Sequence, residues 1–369
     1  MSEPQPSTTS VDLAVIGAGI GGLATAVALR HAGLDPHVFE RTPVLSEVGG
    51  AVVIRDPSVR LLEEWGLQAF HDEAVPVDVL EMRDVTGQVV RTSPADLAGD
   101  GQAYSTHRHD VHDLLAGAVG SDRIHLGAAA ESVANEPDGE HATITFSDGS
   151  RVTARLVVGA DGIRSVARRV VVDDAPVFDG IIALRGTAPA SALPDGAGAD
   201  RITVWSDGAQ MILGLPLRGG TEIALDTIVS QDLPPEDLWH AEVSRADLLM
   251  RFSDFDPGLR HLIASGSPSV RANPVYDREP ITQWARGRVV LVGDAAHPMA
   301  PRQGQGANQA IQDAGALATA LGEFGLDRLE HAVDAYHQER VATATTLQRA
   351  SRTAPEFRDA TASERPGLR

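Results

Sequence analysis

The chain has 369 residues, enough for one large or two ordinary domains with a substantial core, and its 43% hydrophobic content is that of a globular protein. A formal net charge of −20 argues against a nucleic-acid or anionic-membrane partner, and we read that charge as solubility. All 31 basic residues are Arg, which removes lysine Schiff-base chemistry and pyridoxal phosphate; the absence of Cys removes disulfides, thiolate nucleophiles, Cys-ligated zinc and cysteinyl-linked flavin.

In chain order, Met1 to Ser10 is polar and lacks Lys and Arg, so it reads as neither a secretory signal nor a transit peptide. The apolar run from Leu13 to Leu29 is interrupted by glycines and reads as strand, turn and helix, not as a membrane span. A cytoplasmic location is the expectation. Val11 to Ile16 forms the strand, Gly17-Ala18-Gly19-Ile20-Gly21-Gly22 the turn, Leu23 to His31 the helix, and Pro36 to Glu40 a second strand after Gly33. This is a βαβ unit with GxGxxG at its first turn. Gly17 permits the tight turn, Gly19 lets a pyrophosphate approach the backbone, and Gly22 packs helix on sheet. Glu40 ends the second strand, where an acid bonds a ribose hydroxyl. The motif by itself leaves FAD and NAD both open.

Val44 to Leu67 combines a glycine-containing segment with a short helix ending at Trp65-Gly66. Val77 to Arg91 reads as two strands around Thr86-Gly87, and Thr106 to Asp110 leads into a helix through Leu114, Leu115 and Val119. His107, His109 and His112 are irregularly spaced for a metal site and read as solvated; no metal is expected. Ile144 to Phe146 and Arg151 to Val158 form a hairpin that ends in Asp161-Gly162-Ile163-Arg164-Ser165-Val166-Ala167-Arg168. Ser165 and Arg168 at i, i+3 share a helical face that would stiffen the loop, and Arg168 either braces it or touches a ligand. From Val177 to about Ser269, short alternating segments between Gly, Pro and Asp turns predict an antiparallel sheet, with a helix over Glu236 to Phe252 after Pro234-Pro235. Arg185 in this sheet either meets a substrate carboxylate or braces the strands.

Arg288 to Val292 reads as a buried strand, Gly293-Asp294 as a tight turn, and the following loop carries Pro298, Pro301, Gly304 and Gly306 before a helix opens near Asn308. Such a loop lets backbone approach a ligand closely, and the helix start directs free N–H groups and a positive dipole end at the same point. His297 within it reads as structural. Beyond Gly325 a polar-faced helix includes Tyr336 and Arg340, and the last dozen residues read as a tail.

The stretch Gly287–Ala318, the glycine turn at 17–22 and the run from Asp161 to Arg168 together resemble the FAD-dependent aromatic hydroxylases, the single-component flavoprotein monooxygenases with the p-hydroxybenzoate hydroxylase fold. The resemblance implies an α/β fold: a Rossmann-like FAD-binding domain (1–74, 103–176, 271–350), an inserted, mostly antiparallel β-sheet substrate domain (75–102, 177–270), a C-terminal helix and a tail (351–369). It implies that Glu40 and Arg41 serve the adenosine of FAD. Arg108 would reach the flavin side of the cofactor, and Asp161 would touch FAD and the nicotinamide path. Asp294 would bond the ribityl chain, Pro301 would lie near the reactive face of the flavin, and Gly304, Gly306, Ala307 and Asn308 would present backbone to its pyrimidine edge. Arg55 is left between a ligand role and the surface. Leu184-Arg185-Gly186 departs from the family's WRG element, as Asp56-Pro57 departs from its Pro-Asn pair.

The activity implied is transfer of hydride from NADH or NADPH to FAD. A hydroperoxyflavin formed with dioxygen then passes one oxygen atom to an aromatic or other electron-rich small molecule, in aromatic catabolism or natural-product biosynthesis. No side chain is identified as catalytic. The alternatives are an oxygen-independent reductase or dehydrogenase on the same scaffold, similar to the geranylgeranyl reductases, and a non-catalytic nucleotide-binding regulator. A flavin halogenase is disfavoured because no WxWxIP-like element occurs.

Overall fold

The first strand, Thr8–Ile16, is buried on both faces over Leu13 to Ile16, which is why it reads as a continuous apolar run and not as an alternation. The computed structural model describes residues 8–45, 50–95, 99, 101–208, 210–230 and 242–352. Thr8–Ile16 pairs in parallel with Pro36–Glu40 on one side and with Arg151–Gly159 on the other. Ile124–Leu126 and Val289–Leu291 extend the parallel set at either edge. The antiparallel strands Ala130–Asn135, Ala142–Phe146 and Ala285–Arg286 complete an eight-stranded sheet. Helices Ile20–His31 and Gly306–Phe324 pack against one another, and Leu329–Ser351 closes over the latter. Arg108–Val119 packs on the first of these helices and Asp56–Glu64 on the second.

A second eight-stranded sheet runs in the order 242–244, 269–277, 177–189, 222–230, 211–217, 202–206, 79–83, 89–94. All its pairings are antiparallel except that between Ile202–Ser206 and Val79–Arg83. Its two faces divide by strand parity. Ile182, Leu184, Ile223 and Leu225 point to an outer core under helices Arg245–Arg251 and Pro257–Ser265. Ile181, Ala183, Ile228 and Val275 point the other way and pack against Ala300 of the loop before Gly306. That inner face is therefore turned toward the dinucleotide-type domain. A three-stranded antiparallel sheet of Ala51–Arg55, Ala103–His107 and Val75–Val77 lies beside it.

Several expectations need correction. The segment assigned as one helix over 236–252 contains a strand, Glu242–Ser244, and the helix starts only at Arg245; residues 231–241 lie outside the described residues. Ser244 accepts the Asp247 amide at 3.1 Å, a capping contact that fixes this later start. Helix Pro257–Ser265, capped by Asp256, was not anticipated. Ser165 and Arg168 do not share a helix, because Ser165 has φ −47° and ψ 127°; its hydroxyl instead accepts the Arg168 amide at 2.8 Å. His112 is not solvated but 3% exposed, its ring held by a hydrogen bond of 2.8 Å to the Ala18 carbonyl. Segment 46–49 and the tail beyond 352 also lie outside the described residues.

The first turn is sterically exacting. A Cβ on Gly22 would lie 1.9 Å from the Gly17 carbonyl oxygen, whereas one on Gly19 would meet nothing within 4 Å. Gly22→Ala is expected to lower stability by about 1–3 kcal/mol in urea unfolding, because backbone must move to admit the methyl. Gly19→Ala is expected to leave the same measurement within about 0.5 kcal/mol of the parent.

Candidate cofactor and substrate site

Gly17 takes φ 99°, and a Cβ there would meet the Ala160 carbonyl oxygen at 2.6 Å, so the glycine turn is folded tightly against the end of strand Arg151–Gly159. Helix Ile20–His31 opens from Gly19 with no side-chain cap and no acid in its first turn, which leaves its N–H groups and dipole for an anion. Beside it lies a crevice of about 330 Å³ whose lining includes Gly17, Gly19, Glu40, Arg41 and Asp161. Glu40 accepts the Ala18 amide at 2.8 Å on one oxygen and the Thr42 amide at 2.9 Å on the other, which fixes its carboxylate at the crevice rim. Open space at Gly19, an uncapped helix start and a rim carboxylate suit the pyrophosphate and ribose of a dinucleotide.

The Asp161 carboxylate is turned inward. It accepts the Ser165 hydroxyl and the amides of Val166, at 2.6 Å, and Ala167, at 3.3 Å. Burial raises its pKa and these hydrogen bonds only partly offset the effect. Arg168, fully buried, donates to the carbonyls of Ala295 at 2.9 Å and Ala296 at 2.7 Å and to Asp174 at 3.0 Å. It ties the 161–168 loop to the Gly293-Asp294 turn, which is the bracing role.

That turn is held by Asp313. One Asp313 oxygen accepts the Gly293 amide at 2.9 Å and meets the His297 ring at 2.5 Å; the other accepts Arg340 Nε at 2.9 Å. Burial alone pushes the Asp313 carboxyl up, but the charges of His297 and Arg340 and the hydrogen bonds from His297 and Gly293 leave it below its ordinary value. His297 is thereby occupied structurally, stacked near Trp284 at 4.8 Å between ring centroids. Tyr336 donates to the Leu291 carbonyl at 3.0 Å, so the closing helix grips the strand that precedes the turn.

Ala310 is the meeting point of the distant motifs. Its Cβ would lie 3.3 Å from a Cβ on Gly21 and 3.1 Å from one on Gly293, and a Cβ on Gly306 would lie 3.8 Å from Asp294 Oδ1. The glycine turn, the 293–294 turn and the 306–308 backbone thus converge. Helix Gly306–Phe324 again carries neither a side-chain cap nor an acid in its first turn. The Asn308 amide is spent on bracing: it accepts the Arg55 amide at 2.9 Å and donates to Val53 O at 2.8 Å and Gly304 O at 3.2 Å. Arg55 is correspondingly buried and not a surface residue. Gly304, with φ 61°, ends the 301–303 turn that begins at Pro301. Arg302 pairs with Asp179, which pins this loop to the second sheet.

Asp294 is exposed on its turn, with protein packed densely behind it. Burial raises its pKa, and the guanidinium of Arg108 pulls it back in part. Arg108 itself starts its helix by donating its amide to the Gly50 carbonyl at 3.1 Å. On the inner face of the second sheet, Arg185 stands directly opposite Asp226, with Nε 3.7 Å from Oδ2. Asp226 was not singled out from the sequence. The available signal was an acid at an inward position of the apolar strand Glu222–Ser230. No group of three or more candidate metal ligands occurs, and no helix is long and apolar enough to cross a membrane, among the described residues.

Because Asp294 holds a proton more readily when folded, its charge costs stability as pH rises through the folded pKa, and the cost is absent below the ordinary carboxylate pKa. Asp294→Asn is therefore expected to stabilise the apoprotein at pH 7–8 and not below pH ~3.5 in thermal melts. It is expected to weaken FAD binding about 10–100-fold in a flavin titration, the loss of a charged hydrogen bond.

Comparisons with known proteins agree with this geometry. A family model described as FAD binding domain matches residues 10–351. A 3-amino-4-hydroxybenzoate 2-monooxygenase of Streptomyces cremeus is 34% identical, covering 94% of this chain and 88% of its own. A 6-hydroxynicotinate 3-monooxygenase of Pseudomonas fluorescens is 32% identical over 92% of this chain and 90% of its own. The crystal structure of Klebsiella pneumoniae HpxO complexed with FAD and uric acid superposes with a TM-score of 0.81 at 24% identity, over 96% of this chain and 90% of that one, and shares the fold. The chain belongs to the FAD-binding single-component monooxygenases with the p-hydroxybenzoate hydroxylase fold.

Proposed function

We propose that this FAD-dependent monooxygenase uses NADH or NADPH and dioxygen to hydroxylate a small aromatic molecule bound between the cofactor and the inner face of the second sheet. The observation that carries the reading is the convergence on Ala310 of the glycine turn, the 293–294 turn and an uncapped helix start, with the inner sheet face packed against Ala300 just ahead of that helix. The relatives named above, which act on a hydroxybenzoate and a hydroxynicotinate, support an aromatic substrate. When bound, FAD supplies the redox chemistry, taking hydride from the reduced nicotinamide and delivering an oxygen atom from dioxygen.

The protein's contribution is binding, orientation and electrostatics. Gly17, Gly19 and the start of helix Ile20–His31 suit the pyrophosphate, while Glu40 and Arg41 flank the adenosine end. Asp294 and Arg108 meet the polar chain linking the two halves of the dinucleotide. Gly306, Ala307 and Asn308 offer backbone N–H groups to the electron-rich edge of the reduced ring, a fixed dipole that needs no reorganisation. Pro301 and Gly304, locked by Arg302 and Asp179, wall the reacting face and exclude water.

Purified protein reconstituted with FAD is expected to be yellow, and its oxidation of NADH or NADPH is expected to accelerate at least tenfold with a cognate phenol or hydroxy-heteroaromatic. With ¹⁸O₂ the product should carry one labelled oxygen. Stimulated nicotinamide oxidation without label in the product would instead indicate the oxygen-independent reductase.

A further inference from the structure

We propose that Asp226 is the side chain of this protein that takes the proton from a ring hydroxyl of the substrate, and that Arg185 holds the negative charge left on that oxygen. This assignment rests on the hydroxylase reading and adds to it a specific proton acceptor.

The geometry separates Asp226 from the bracing carboxylates of the same protein. Asp313 is saturated by Gly293, His297 and Arg340, and Asp161 by Ser165 and two backbone amides. Among the described residues, the Asp226 side chain accepts no hydrogen bond. Its Oδ1 is buried without a partner, and so is Nε of the Arg185 that faces it from the neighbouring strand. Their approach, 3.7 Å, is that of charges held near one another and not of a closed hydrogen bond. Two such atoms left unsatisfied inside a sheet are costly unless a third group completes them.

Their position suits a substrate. Both side chains lie on the face turned toward the dinucleotide domain and keep partial exposure, 27% for Arg185 and 22% for Asp226. Oδ1 is pressed on Gly50, where an added Cβ would sit 2.7 Å from it and 3.3 Å from Oδ2, which leaves Oδ2 as the less enclosed oxygen. Gly50 in turn accepts the amide of Arg108, the neighbour of Asp294, so the pair stands next to the proposed flavin position. Around them Leu213 is the cross-strand neighbour of Asp226, Ala183 and Ile228 flank the pair, and the exposed Arg271 stands across from Arg185 on its other side. Among the described residues, the charge acting on Asp226 is that of Arg185. Burial outweighs it and pushes the carboxyl up to about 6, the range of a base that works near neutral pH.

In the step proposed, the O–H bond of the ring hydroxyl breaks and its proton forms an O–H bond with Asp226 Oδ2. The electron pair stays on the ring oxygen beside Arg185, and nothing is oxidised or reduced. The phenolate donates more strongly into the ring, so the carbons ortho and para to it become better acceptors of an electrophilic oxygen. Arg185 thereby both fixes the substrate and stabilises the charge formed.

The test uses full-length FAD-reconstituted protein with NADH and NADPH. Its probes are 4-hydroxybenzoate, 3-hydroxybenzoate, salicylate and 6-hydroxynicotinate, each beside its O-methyl ether. Stimulation is expected from one or more hydroxy compounds and not from the ethers, with kcat/KM climbing as pH rises through about 6. Asp226→Asn is expected to keep FAD content, to melt no lower than the parent, to lose that climb, and to lower kcat/KM about 10²–10⁴-fold. Asp226→Glu should retain the pH-dependent climb at reduced rate, and Arg185→Gln should raise KM. Ethers that serve as well as phenols, a wild-type profile flat through this range, or an Asp226→Asn enzyme with the wild-type rate and profile would each overturn the assignment. A wild-type protein that no phenol stimulates would overturn the hydroxylase reading itself, a result distinguishable because it needs no variant.

Discussion

The site depends on one buried carboxylate. Asp313 lies on the helix whose uncapped N-terminus opens beside the 293–294 turn, and it gathers the Gly293 amide, the His297 ring and the Arg340 guanidinium around two oxygens. A charge this deep is tolerated only because every direction it faces is answered by a donor. The consequence is geometric: the turn that presents Asp294, the helix start at 306–308 and the closing helix keep fixed relative positions, and a charge-stabilising dipole is effective only when so held. Tyr336 and Arg168 repeat the arrangement on the strand before the turn and the loop beside it.

The two domains meet through small residues and short polar links. Gly50 touches the carboxylate of Asp226, Ala300 packs on the inner sheet face, and Arg302 reaches Asp179. The two cleft carboxylates differ by setting. Asp294 has Arg108 for a neighbour and stands exposed on its turn; Asp226 has Arg185 and lies on the inner face of the second sheet. Both are raised by burial, and they stand on separate parts of the fold, one on the turn after Val289–Leu291 and the other on strand Glu222–Ser230.

Much of this was legible in the sequence where the cause is local. GxGxxG, the strand and helix flanking it, Glu40 and the 293–308 loop follow from glycine conformations and apolar periodicity within short windows. The inner face of the second sheet was legible as alternation, but Asp226 was not, since its meaning comes from Arg185 on another strand and Gly50 in another domain. His112 and Arg55 looked like surface residues because their partners, the Ala18 carbonyl and the Asn308 side chain, are remote in the chain. The misplaced helix near 236–252 had a readable stop: Ser244 with Asp247 three positions on is a capping signature, and it marks the start at Arg245.

The order of the parts along the chain has a consequence for biogenesis. The glycine turn leaves the ribosome before the segments it packs with: the strand beside it is Arg151–Gly159, the next is Val289–Leu291, and the clamp on the 293–294 turn comes from residues 313, 336 and 340. The crevice itself is lined by residues between 16 and 166, but the 293–294 turn is brought to it and held only after residues 313 to 340 have been made. A polypeptide truncated before the closing helix would carry the fingerprint and the crevice lining without the clamp on the 293–294 turn.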